Sequence, residues 1–118
     1  MIRKANEMSS FTRSAGMEIQ PLVAPADMFD AGRLFARITV APHTTMTPHK
    51  HEGEMEIYYI TQGVATVTDN DKTATLTVGD VLVTGDGESH SICNETDDPV
   101  EFIALIISKQ QGVEGRSV

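Results

Sequence analysis

The chain has 118 residues, 40% hydrophobic and 22% charged, values of an ordinary soluble domain long enough to bury one core without disulfides. Seventeen acidic against nine basic side chains leave a net charge of -8, which repels phosphate backbones and anionic bilayers and so excludes nucleic acid and membrane surfaces as expected partners. Cys93 is the sole cysteine, so no intrachain disulfide framework exists.

The N-terminus, MIRKANEMSS, lacks the apolar stretch of a signal peptide, and a cytoplasmic location is expected. Residues 1–15 are polar and mixed and read as an arm. The segment RLFARITVAP places Leu34, Ala36, Ile38 and Val40 on one face and Arg37 and Thr39 on the other. That period of two is a half-buried strand. VATVTDNDKTATLTV reads as a hairpin, with turn chemistry at Asp69–Asn70–Asp71. VLVTGDGESHSICN is a strand, a Gly85–Asp86–Gly87 turn and a second strand. VEFIALIIS is apolar on both faces, so something must cover its outer side. Its apolar core IALII is too short to span a bilayer. Residues 108–118, polar with two glycines, read as a tail. No segment carries a helical stripe of three turns. Short strands with regular turns predict an all-β sandwich or barrel over residues 16–107.

The chemistry concentrates in PHKHEGEMEIYYITQG, residues 48–63. His49 and His51, two apart on a strand, face the same side. Taken alone, such a pair is more often a plain surface feature. Glu56 follows five residues later, which in unbroken alternation would face the other way. Gly53 can break the register, because it tolerates a left-handed turn, and Glu56 then rejoins the histidine face. A carboxylate opening a buried strand is costly unless paired or bound to a cation. His90, after the Gly85–Asp86–Gly87 turn, adds a third imidazole. Three imidazoles and a carboxylate suit one divalent transition metal such as Fe, Mn, Ni, Co or Zn. Glu54 rivals Glu56 as the carboxylate. Tyr58 shares the parity of Glu56, Tyr59 faces the other layer, and Lys50 points away from its histidine neighbours. Met46 and Met55 read as gap-fillers, Cys93 as a small buried residue, and His43 as exposed.

These spacings resemble those of the cupins. The first cupin motif runs Gly, five residues, His-x-His, three or four residues, Glu, six residues, Gly. This chain has His43 in the place of the leading glycine, then His49, His51, Glu56 and Gly63. The second motif runs Gly, five residues, Pro-x-Gly, two residues, His, three residues, Asn. Here it is Gly79, Gly85–Asp86–Gly87, His90 and Asn94, with Gly85 in the place of the proline. The departures fall at turns, so they bear on loop shape. The resemblance implies a small double-stranded β-helix, a jelly-roll barrel, with His49, His51, Glu56 and His90 holding the ion in its mouth. It also implies a homodimer, which the doubly apolar strand 100–107 favours independently.

Function is left open between two classes. One is an enzyme of the dioxygenase, decarboxylase, isomerase or lyase type, acting on a small molecule at the metal's open positions, with Glu56 able to double as a base. The other is a non-catalytic binder of a small sugar or acid. Leu34, Ala36, Ile38, Tyr58 and Ile92 are the expected pocket walls.

Overall fold

The structure, a computed structural model, describes residues 1–109. Among these the regular elements are eleven strands and two single 3-10 turns, Ala5–Glu7 and Pro25–Met28. The strands are β1 Phe11–Ser14, β2 Met17–Pro21, β3 Gly32–Val40, β4 Thr44–Thr45, β5 His49–Lys50 and β6 Glu54–Gln62. They continue with β7 Ala65–Asp69, β8 Lys72–Leu76, β9 Val81–Thr84, β10 Ser89–Asn94 and β11 Val100–Ser108. One sheet has the order β1-β2-β3-β11-β6-β9, and the other β4-β10-β7-β8 with β5 also on β10. Every pairing is antiparallel.

Alternation explains the core. The inward residues of β3, β6 and β11 include Ala36, Ile38, Val40, Tyr58, Ile60, Phe102 and Ala104, all buried. Ile92 and Val67 meet them from the facing sheet. Each large apolar side chain among these contributes about 2–3 kcal/mol by leaving water. β11 lies between β3 and β6, with Phe102 opposite Ile38 on one side and Ile60 on the other. Its alternate residues Ile103, Leu105 and Ile107 face outward and are half-buried.

Several loop positions are constrained in ways that the motifs foreshadow. Gly53 has φ +75 and turns the chain between β5 and β6, the register break expected there. Gly63 has φ +82, and a Cβ at that position would collide with the Pro99 carbonyl oxygen. His43 stands at φ +56, so the departure from glycine keeps the left-handed backbone. Its exposed ring lies 2.6 Å from Asp97. Asn94 is fully buried. Its amide donates to the carbonyls of Val40, Ala41 and Asp98, and its oxygen accepts from Thr96. Those bonds close the loop between β10 and β11.

Strand pairing begins earlier than the sequence suggests. Phe11–Ser14, within the expected arm, is the edge strand β1 and pairs with β2. At the other end Ser108 closes β11, and the Lys109 amide donates to the Gly53 carbonyl at 2.8 Å. The rest of the expected tail, residues 110–118, lies outside the described residues. Cys93 is half-buried, not buried, with Sγ 3.6 Å from the Thr45 hydroxyl. β4 pairs beside β10 in the same sheet, with Thr45 opposite Cys93, so it does not cover that face.

Candidate metal centre

Four side chains from three strands and one loop converge. His49 begins β5, His51 follows it in the loop, Glu56 lies on β6, and His90 lies on β10 directly opposite His49. One nitrogen from each histidine and one carboxylate oxygen all lie within 4.8 Å of one another. Glu56 Oε1 is 2.9 Å from His51 Nε2 and 3.0 Å from His90 Nε2. His90 Nε2 is 2.9 Å from His49 Nε2. The three rings are mutually edge-on, with interplanar angles of 88°, 75° and 84°. Nitrogens that approach a common point from steeply inclined planes are what a polyhedral coordination shell requires.

The outer nitrogens test whether a cation fits. His51 Nδ1 is 2.9 Å from Glu54 Oε1, His90 Nδ1 is 2.7 Å from the Thr84 hydroxyl, and His49 Nδ1 is 3.5 Å from the Thr47 carbonyl oxygen. Each Nδ1 therefore has an acceptor outside the cluster. A proton on Nδ1 that donates outward leaves the Nε2 lone pair facing inward, the arrangement of a metal-ligating imidazole. Burial, and then the neighbouring His90, hold His49 below the usual histidine pKa, which keeps its lone pair free at neutral pH. The donor set and its tautomers fit a divalent transition ion.

Glu54 is placed differently from Glu56. It faces the outer side of His51 and is clamped by Arg33, with Nε to Oε2 at 2.8 Å and Nη2 to Oε1 at 2.9 Å. Arg33 Nη2 and His51 Nδ1 sit 3.3 Å apart because both donate to Glu54 Oε1. The Arg33 bond, more than the histidine, holds the Glu54 carboxyl below its ordinary pKa. Sequence reasoning found Glu54 only as a rival ligand and missed Arg33 and Thr84. Thr84 stands opposite Glu56 across the β6–β9 pairing, a neighbour that no spacing along the chain reveals.

His49, His51 and Glu56 form part of the wall of a pocket of about 530 Å³, while His90 is buried beside them. Of the expected walls, Leu34, Ile38 and Tyr58 line it. Ala36 and Ile92 do not, being wholly buried in the core. Ile92 is two residues beyond His90 on β10, opposite Val67, and that step carries it into the packed interior. The pocket gains walls from Arg13, Ser14, Met17, Ile19, Thr45, Met46, Thr47 and Ile106. Tyr58 stacks on His90 with ring centroids 5.1 Å apart. Burial, and then the charge and hydrogen bond of Glu56, push the Tyr58 hydroxyl well above its ordinary pKa, and the charge of Arg13 opposes them. Tyr58 is thus a hydrogen-bond donor and not a base. His43, Lys50 and Tyr59 all stand outside the pocket. Lys50 lies 3.5 Å from Glu52, and Tyr59 is on the outer sheet face.

The sequence profile of the Cupin domain matches residues 36–106, which contain both motifs and all four converging side chains. The chain is a cupin. An oxalate-binding protein of Thermotoga maritima is 44% identical to this cupin over 91 residues, which are 77% of this chain and 75% of the relative. A crystal structure described as a predicted oxalate decarboxylase, also from Thermotoga maritima, superposes with a TM-score of 0.83. It is 38% identical and covers 92% of this chain and 99% of its own. A cupin-superfamily sugar phosphate isomerase from Silicibacter pomeroyi has a TM-score of 0.73 at 17% identity, covering 90% of this cupin and 74% of its own chain. That likeness establishes the fold alone, and the fold serves more than one chemistry.

Proposed function

We propose that this cupin holds one divalent transition metal on His49, His51, Glu56 and His90 and, at that metal, binds a small carboxylate of the oxalate class. One observation carries the reading. Three imidazole nitrogens and one carboxylate converge, and His49, His51 and Glu56 among them open onto a pocket large enough for a small molecule, whereas a purely structural ion is normally enclosed by its ligands. The name of the Thermotoga maritima relative supports the choice of ligand. Four protein ligands on an octahedral ion leave two positions, which suits a chelating pair of carboxylate oxygens. When bound, the metal supplies Lewis acidity that stabilises negative charge on ligand oxygens. The protein's part is to orient the imidazoles through Glu54, Thr84 and Thr47, to exclude bulk water with Leu34, Ile38 and Ile106, and to present the Tyr58 hydroxyl as a donor.

The test is spectroscopic. Protein loaded with Co(II) should show a d–d spectrum that oxalate perturbs with saturation, and His51→Ala plus His90→Ala should abolish both metal and response. A spectrum indifferent to millimolar oxalate overturns the carboxylate reading. The same samples, loaded with Mn(II) in air, decide between binding and turnover, because cleavage of the oxalate carbon–carbon bond with uptake of one proton releases formate and carbon dioxide.

We further propose that the functional unit is a homodimer. Phe35, Leu105, Ile57 and Val83 form one row across the outer face of the six-stranded sheet, and Ile103, Tyr59 and Val81 continue a second. Tyr59, Val81 and Val83 are about half exposed. Arg37, opposite Ile103, has a buried Nε with no hydrogen-bond partner among the described residues. A contiguous apolar face of this kind normally marks an interface.

A further inference from the structure

The β1–β2 hairpin brings to the pocket a residue that neither cupin motif contains. Thr12 pairs with Glu18 and Ser14 pairs with Met17, so two steps along β1 are matched by one along β2. Arg13 is the extra residue of this β-bulge. Unbroken alternation would turn one of two successive side chains away. Bulges re-aim side chains and recur beside functional sites, and here Arg13 and Ser14 both line the pocket with Met17.

The guanidinium is uncommitted. Arg13 makes no hydrogen bond or ion pair with any described residue, whereas Arg33, the other arginine near the cluster, is engaged twice by Glu54. Among the described residues that line the pocket, Arg13 is the one permanent cation. A divalent ion on three neutral imidazoles and the Glu56 carboxylate leaves a single positive charge. A bound dicarboxylate would make the sum negative, which a partly desolvated pocket tolerates poorly. One guanidinium restores neutrality, and its planar fork matches a carboxylate edge.

We infer that Arg13 is the specificity residue of this pocket, selecting a small dicarboxylate by holding the carboxylate oxygens that face away from the His49–His51–Glu56–His90 cluster. The inference rests on the reading that a small carboxylate binds there. Calorimetry of Mn(II)-loaded protein with oxalate and with acetate tests both and separates them. Arg13→Gln should weaken oxalate binding roughly 10- to 100-fold, the scale of a lost charge-assisted hydrogen-bond pair. Acetate affinity should change little, because a monocarboxylate has no second group for the guanidinium to hold. Arg13→Lys should recover part of the loss, keeping the charge without the fork. Metal affinity, read by chelator competition, should match the parent protein in both variants, as should the melting temperature, since Arg13 is exposed on an edge strand. If the parent protein binds oxalate and Arg13→Gln binds it equally well, the inference is overturned and the carboxylate reading stands. Equal loss for oxalate and acetate would reduce Arg13 to general attraction and also overturn it. If the metal-loaded parent binds neither, the carboxylate reading falls and the inference falls with it.

Discussion

Glu54 and Glu56 are two residues apart in sequence and stand on opposite sides of His51. Glu56 faces Nε2 and shares the cluster with His90, while Glu54 faces Nδ1 and is held by Arg33. Glu54→Gln should weaken metal binding by about 10- to 100-fold, the usual cost of an outer-sphere partner. Glu56→Gln should cost well beyond that, since it replaces a charged ligand. Titration of Co(II) against a chromophoric chelator measures both, and a reversed order would exchange their roles. The Arg33–Glu54 pair also predicts a pH effect on the metal-free protein. The folded carboxyl titrates below its ordinary value of 4.5. The pair's contribution is therefore full above that value and is lost as pH falls through the folded pKa. Melting temperatures of the parent and Glu54→Gln should converge as pH is lowered through this window and separate again on return to neutrality. Parallel curves would show that the pair does not couple to folding.

The turns between elements decide whether those residues meet. Gly53 and Gly63 both have left-handed backbones, with φ of +75 and +82, but their surroundings differ. A Cβ on Gly53 meets open space, whereas on Gly63 it meets the Pro99 carbonyl. Gly53→Ala should thus cost only the left-handed penalty of about 1 kcal/mol. Gly63→Ala adds a backbone clash and should cost roughly 2–3 kcal/mol, near 10 °C in melting temperature for a domain of this size. Calorimetric scans of the two variants side by side check the ranking, and equal effects would mean that the β6–β7 turn relaxes freely. His43 adopts the same left-handed backbone without being glycine, at φ +56. Histidine is among the non-glycine residues that enter this region more readily than most.

For the whole molecule, the proposed homodimer would form through the outer face of the six-stranded sheet. Light scattering at micromolar concentration should return close to twice the chain mass of 12.8 kDa. Val83→Lys places a charge on the half-exposed edge of the apolar row. It should give monomers with unchanged metal content, because Val83 points away from the cluster. A parent protein that is already monomeric would require another cover for Ile103, Leu105 and Ile107.

Strand periodicity, the all-β class and the four converging residues were legible along the chain, because alternation and motif spacing are local properties. His49, His51 and Glu56 lie within eight positions of one another, so a strand period and one flexible glycine suffice to relate them. Their surroundings depend on how distant strands pack. Arg33, Thr84 and Arg13 come from β3, β9 and β1, and their approach depends on cross-strand register and on one bulge that leaves no mark in composition. The same dependence explains why Ala36 and Ile92 share the inward face yet stay out of the pocket. Alternation specifies which side of a sheet a residue faces, while its depth along the barrel is set by how the two sheets stack.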